Sequence, residues 1–189
     1  MRQALILAAL MVPGLACAQT VNTGQGRLDL VGVAPSACLI SSPTAAAGAN
    51  AAFQATGAQQ GQITITQLAD PQTAQPVAAS ISIALPIICN TAHHVIVSTA
   101  NGGLARVGSV SHSQQSVNGF REFLPYQVDA AWAGQDVSGT SQAGATVTIN
   151  SNDGAAGQLS LVITVPGGGD PLVAGAYNDQ VVVELQVAS

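Results

Sequence analysis

Charge is what this sequence has least of. Only 7% of its 189 residues are charged, against roughly a quarter in an ordinary soluble domain. Lysine is absent, and the 4 cations are Arg2, Arg27, Arg106 and Arg121. Set against 9 carboxylates, they leave a net charge of −5. Such a chain has no basic surface to displace counterions from a phosphate backbone, which excludes nucleic-acid binding of that kind. Disorder is excluded from the other side. Disordered chains are poor in apolar residues and rich in charge, whereas this one is 48% hydrophobic. The length suits one domain with a core of its own.

The familiar signatures of chemistry are missing as well. There is no GxSxG elbow for a serine nucleophile, no HExxH or HxH spacing for a metal, and no DxDxDG calcium loop. His93 and His94 are adjacent at the start of a strand-like run, so their side chains belong on opposite faces and cannot share a metal easily. The plain expectation for them is a pair at the surface or at a strand end. Carboxylates are scattered singly, and Asp153, Asp170 and Asp179, each beside Gly or Asn, read as turn residues. The expectation is a non-enzyme without cofactor or metal.

Long apolar runs are scarce too. Ala4 to Val12 (ALILAALMV) is about half of what a bilayer-spanning helix requires. It follows Met1-Arg2, is broken by Pro13-Gly14, and is succeeded by Ala16-Cys17-Ala18. That three-part pattern marks residues 1–18 as a secretory signal, with cleavage after Ala18. The rival reading, lipidation of Cys17, is disfavoured by Gly14, where a large aliphatic residue would stand. The mature chain is therefore expected to be exported, without a transmembrane anchor. Its remaining cysteines, Cys38 and Cys89, form an even pair with no CxxC spacing, which reads as one structural disulfide. Such a bridge closes a loop of about 50 residues and contributes about 4 kcal/mol in the chain-entropy model. Two buried free thiols are the alternative.

What the sequence does have is period-2 alternation. Apolar residues recur at Ile81, Ile83, Leu85 and Ile87 before Cys89, and at Leu124, Tyr126, Val128, Ala130 and Trp132. Further sets are Ala145, Val147 and Ile149; Leu159, Leu161, Ile163 and Val165; and Val181, Val183, Leu185 and Val187. Shorter candidates are Leu28 to Val33, Ile63 to Leu68 and Val95 to Thr99. The connections are rich in turn formers, such as Asn101-Gly102-Gly103 and Pro166-Gly167-Gly168-Gly169-Asp170. The pattern predicts an all-β antiparallel sandwich. Pro86 inside a strand run predicts an edge or a bulge there. Ser41 to Gly61, with Phe53 its only large apolar residue, reads as a loop, a weak edge strand or a helical turn.

The order of these landmarks resembles the spore coat protein U domain family, the pilin-like subunits of archaic chaperone–usher systems in Gram-negative bacteria. The resemblance rests on the signal, the pair Cys38 and Cys89-Asn90, and the strand Leu124-Pro125-Tyr126-Gln127-Val128. It is completed by Gly175-Ala176-Tyr177-Asn178-Asp179 before the last strand. The resemblance implies an immunoglobulin-like sandwich lacking its final strand, spanning residues 38–189, with residues 19–37 as an N-terminal segment. Val181, Val183, Leu185 and Val187 would line the resulting groove. Val21, Leu28 and Leu30 would belong to the donor strand, and Gly175, Tyr177 and Asp179 to the family motif. A periplasmic chaperone would fill the groove first, and a neighbouring pilin subunit would replace it at the outer-membrane usher. The product would be a surface fibre serving adhesion or biofilm. A self-complete periplasmic or secreted sandwich that binds a partner without polymerising is the alternative. The absence of lysine, a common protector of strand edges, suits an edge that pairs with another chain.

Overall fold

A computed structural model of the chain describes residues 27–46, 48–109, 116, 118–142 and 145–188. The expected signal peptide and Val21 lie outside the described residues. The chain divides between Ala34 and Pro35, and the sandwich is built from Pro35 onward.

In chain order the strands are β1 (Cys38–Ile40), β2 (Thr44–Ala45), β3 (Ala51–Gly57), β4 (Gln60–Ile65), β5 (Ala79–Cys89), β6 (His93–Thr99) and β7 (Leu104–Arg106). They continue with β8 (Phe123–Leu124), β9 (Gln127–Trp132), β10 (Gln135–Thr140), β11 (Ala145–Ser151), β12 (Ala155–Val165), β13 (Tyr177–Asn178) and β14 (Val181–Val187). The fold is all-β, as the alternation predicts. One antiparallel sheet runs β1-β5-β12-β9-β10, with β2 also on β5. The second runs β11-β6-β14. A small sheet β13-β7-β8 and a hairpin β3-β4 complete the set.

Alternation is what makes the sandwich. In β5, the residues Ala79, Ile81, Ile83, Leu85, Ile87 and Cys89 are all buried, while Ser80, Ser82 and Ala84 between them face outward. Leu159, Leu161, Ile163 and Val165 of β12 do the same beside them, paired residue for residue with β5. Val95 and Val97 of β6, with Val147 and Ile149 of β11, supply the facing layer. β-branched residues dominate because they fill a pleated, half-buried surface well.

Several expectations need correction. Pro86 lies on no edge strand, because β5 is flanked by β12 on one side and β1 and β2 on the other, but the register on that second side does shift by one residue beside it, between Ile40↔Ile87 and Thr44↔Ala84. Its carbonyl accepts the Ser41 N–H at 2.8 Å. Its missing donor therefore faces the break between β1 and β2. The run from Leu124 to Trp132 is not one strand: Leu124 belongs to β8 and the pairing of β9 begins only at Gln127, past Pro125. Leu28 to Val33 forms no strand. Its apolar parity shifts between Leu28/Leu30 and Val31/Val33, so no single face exists for a sheet to bury. The ambiguous Ser41 to Gly61 region holds β2 and most of the β3-β4 hairpin. There the Phe53 ring occupies the space over Gly61, and one aromatic anchors an otherwise polar ribbon.

Candidate functional site: the unpaired edge strand

Among the described residues strand β14 is hydrogen-bonded on one side only, to β6. Two rows of side chains cross this sheet in register, Ile149–Val95–Leu185 and Val147–Val97–Val183. Val95 and Val97 are 0% exposed and Ile149 and Val147 are 1% and 2% exposed. Val183 and Leu185, by contrast, are only half-buried, as is Val181, and Val187 is exposed. Burial thus fades toward the side where no further strand follows. Three of the four expected groove residues pack against the core from this incompletely covered position. The far edge of β14 presents unpaired backbone groups, the ordinary template for strand addition.

Across from it lies the margin of the other sheet. β1 sits beside β14 and is fixed to β5 by the expected disulfide, Cys38–Cys89, which joins directly paired residues. The next residue, Asn90, ties down the approach to β1. Its Nδ2 donates to the Pro35 carbonyl at 2.8 Å, and its Oδ1 accepts the Ala37 N–H at 2.8 Å. The Asn90 N–H donates to the Ala37 carbonyl at 3.1 Å, and the Ala188 N–H donates to the Ala92 carbonyl at 2.9 Å. One turn therefore gathers the entry to β1 and the exit of β14. Before it, Leu28 and Leu30 are 92% and 96% exposed. Arg27 pairs with Asp29 at 2.7 Å.

The motif residues Gly175, Tyr177 and Asp179 have structural work at the base of β14. Gly175 has φ 151°, and the Arg106 side chain lies 3.1 Å from where its Cβ would stand; a side chain there is strained and crowded. The Tyr177 hydroxyl donates to the carbonyl of Val173 at 2.7 Å, and lies 3.1 Å from that of Arg121. Asp179 is more than a turn residue. Its Oδ1 accepts the backbone N–H groups of Asn101 and Gln180, and its Oδ2 accepts the Tyr126 hydroxyl. Burial, then the Asp179 carboxylate, pushes the Tyr126 phenol far above its ordinary range. Ser141, fully buried, joins the same network through Tyr126 N–H and the Gly102 carbonyl.

His93 and His94 do point to opposite faces, but His93 is no surface residue. It is 0% exposed, and its Nε2 accepts the Trp132 indole N–H at 2.9 Å. The strand-end reading holds, since β6 opens at His93, and the surface reading is corrected for His93 because Trp132, on the facing sheet, gives this imidazole a partner inside the core. Nearer the small sheet, the Ser109 hydroxyl and the Arg106 guanidinium hold the Glu122 carboxyl below its ordinary range. Among the described residues no cluster of three or more His, Cys, Asp or Glu could hold a metal. No helix among them is long and apolar enough to cross a membrane. A shallow hollow of about 160 Å³ lies on the outward face of β9, β10 and β12, beside Asp129 and Asp136; it is smaller than the roughly 300 Å³ of a small-molecule site.

Fold and edge together define an antiparallel, disulfide-joined β-sandwich in which β14 is one of the edge strands paired on a single side among the described residues. No protein-family model, curated protein or solved structure matches the chain.

Proposed function

We propose that this chain is an exported, pilin-like structural subunit of an immunoglobulin-like, incomplete type, assembled by strand exchange through a chaperone–usher pathway. The observation that carries the reading is the fading of burial from Val95 and Val97 to Val183 and Leu185 beside an edge with no strand partner. A strand added there would complete the sheet. Its main-chain hydrogen bonds would supply affinity and its alternate side chains specificity. The segment ahead of Pro35 is the donor to a neighbouring copy, with Leu28 and Leu30 as its apolar teeth. Residues 19–34 span about 50 Å when extended, enough to lie along all of β14. A periplasmic chaperone holds the edge before assembly, and the outer-membrane usher is the place of exchange. The fibre formed at the surface would serve adhesion or biofilm.

A second reading, a self-complete secreted sandwich that binds a partner without polymerising, draws support from β1 lying beside β14. Light scattering on the chain from residue 19 separates the two. Strand exchange predicts oligomers, lost on deletion of residues 19–34 and restored when a peptide of that sequence is supplied to the shortened chain. A full chain that is monomeric, folded and stable would overturn the proposal and leave the second reading.

A further inference from the structure

The outward face of β5 is small or polar for most of its length and turns apolar at one end. Its outward positions run Ser80, Ser82, Ala84 and Pro86, and then comes Ile88, which is 59% exposed. Leu39 of β1, 57% exposed, stands directly opposite Ile88, and exposed Ala156 of β12 flanks Ile88 on its other side. Two large aliphatic side chains thus lie side by side on the outside of the sandwich, where contiguous apolar surface marks an interaction site more often than a single exposed residue does. The Cys38–Cys89 disulfide joins the neighbouring residues of the same two strands and so holds Leu39 in register with Ile88. A surface ordered in advance loses less entropy when a partner meets it.

The place of this pair in the chain says what covers it. The Asn90 side chain holds both Pro35 and Ala37, so the chain is fixed from Pro35 into β1. Residues 31–34 are then the whole connection to Leu30, which lies at most about 18 Å from Pro35 even in an extended chain. A copy that takes Leu28 and Leu30 along its open edge is thereby tethered close to Leu39 and Ile88. Across so short a link, a contact too weak to join separate molecules becomes effectively intramolecular. No charged residue occurs from Val31 to Ala69, so neither the connection nor β1 brings a charge that must be desolvated when two sandwiches close up. We propose that Leu39 and Ile88 form a second docking surface for a neighbouring copy of this chain, the same copy that receives its donor segment. The inference rests on the strand-exchange reading and adds to it a contact that stiffens the junction, since a copy held by the donor segment alone could swivel about residues 31–34.

The double variant L39T/I88T tests this, because threonine keeps the strand propensity while removing apolar surface from two exposed positions. V162T, on the outward face of β12 about 20 Å along the strand from Ala156, is the control. Two rates are measured in the same mild denaturant. Light scattering follows the breakdown of oligomers of the chain from residue 19, and fluorescence follows release of a labelled residue 19–34 peptide from the chain lacking those residues. The peptide carries no sandwich, so its release reports the open edge alone. Oligomers of L39T/I88T are expected to break down at least about tenfold faster than native ones, with peptide release unchanged, and V162T is expected to alter neither rate. Oligomers of L39T/I88T that persist as long as native ones overturn the docking surface and leave strand exchange standing. Peptide release quickened to the same degree also overturns it, because the loss then lies at the edge itself rather than in a second contact. If the native chain forms no oligomers and its shortened form takes up no peptide, strand exchange fails and this inference fails with it.

Discussion

The Tyr126 hydroxyl donates to Asp179 Oδ2 at 2.9 Å, tying the segment before β9 to the residue that leads into β14. Fifty-three positions separate the two in sequence. The same carboxylate caps the turn after β6 through the Asn101 N–H. One aspartate thus sets the level at which three stretches of chain meet, which gives the Gly175-Ala176-Tyr177-Asn178-Asp179 motif a physical purpose.

Removing that hydroxyl with Tyr126→Phe should cost about 1.5–3 kcal/mol, the usual worth of a hydrogen bond to a charged group. The phenol is held neutral in the folded chain, while an unfolded tyrosine ionises near pH 10. Its contribution is therefore intact below about pH 10 and is lost as the solution becomes more alkaline. Denaturant midpoints between pH 8 and pH 11 should fall less in Tyr126→Phe than in the native chain. Equal alkaline slopes would show that Tyr126 ionises freely in the fold.

A second expectation concerns the margin facing β14. β1 is only three residues long, and its lasting attachment is the Cys38–Cys89 bridge. Replacing both cysteines by serine should lower stability by about 2–4 kcal/mol. Exchange with deuterium should rise first at residues 38–40, before β5 and β12 lose protection. If β1 stays as protected as β5, the side-chain and backbone hydrogen bonds of Asn90 with Pro35 and Ala37 suffice to hold it.

How much of this was legible in the sequence depends on range. The long alternating strands were visible because a buried face imposes period 2 on consecutive residues, as in Ile81 to Cys89. The disulfide followed from counting. By contrast, β10 (QDVSGT) and the β3-β4 hairpin have weak alternation; they form because a neighbour supplies half of their hydrogen bonds and, for the hairpin, because Phe53 covers Gly61. Pairings that depend on distant partners, such as His93 with Trp132 or Tyr126 with Asp179, leave no local mark. Nor does a strand edge. The pattern Val181, Val183, Leu185, Val187 reads the same whether one neighbour or two will cover it.

The β9-β10 hairpin carries a local conflict that can be relieved. Its two-residue turn is Ala133-Gly134, with φ of 50° and 77°, the paired positive values of the turn type that favours Asn-Gly. Alanine in the left-handed region costs about 1 kcal/mol. Ala133→Asn or Ala133→Gly should therefore raise the melting temperature by about 2–4 °C, the shift expected for that energy in a domain this size. Calorimetry on the two variants checks it, and a lower melting temperature in both would mean that the Ala133 methyl group contributes contacts worth more than the strain.

The open edge makes its own prediction for the backbone. In a strand paired on one side, about half of the amides point away from the partner, and those of β14 meet no strand among the described residues. In monomeric protein, about half of the amides across Val181–Val187 should exchange with deuterium as fast as exposed loop amides. Those of β6, paired on both sides by β11 and β14, should exchange slowly throughout. Adding a peptide of residues 19–34 should protect the fast half of β14 and leave β6 unchanged, because strand addition supplies the missing acceptors on one side only. Full protection of β14 in the monomer would mean that this edge is already satisfied, and that the chain completes its own sheet.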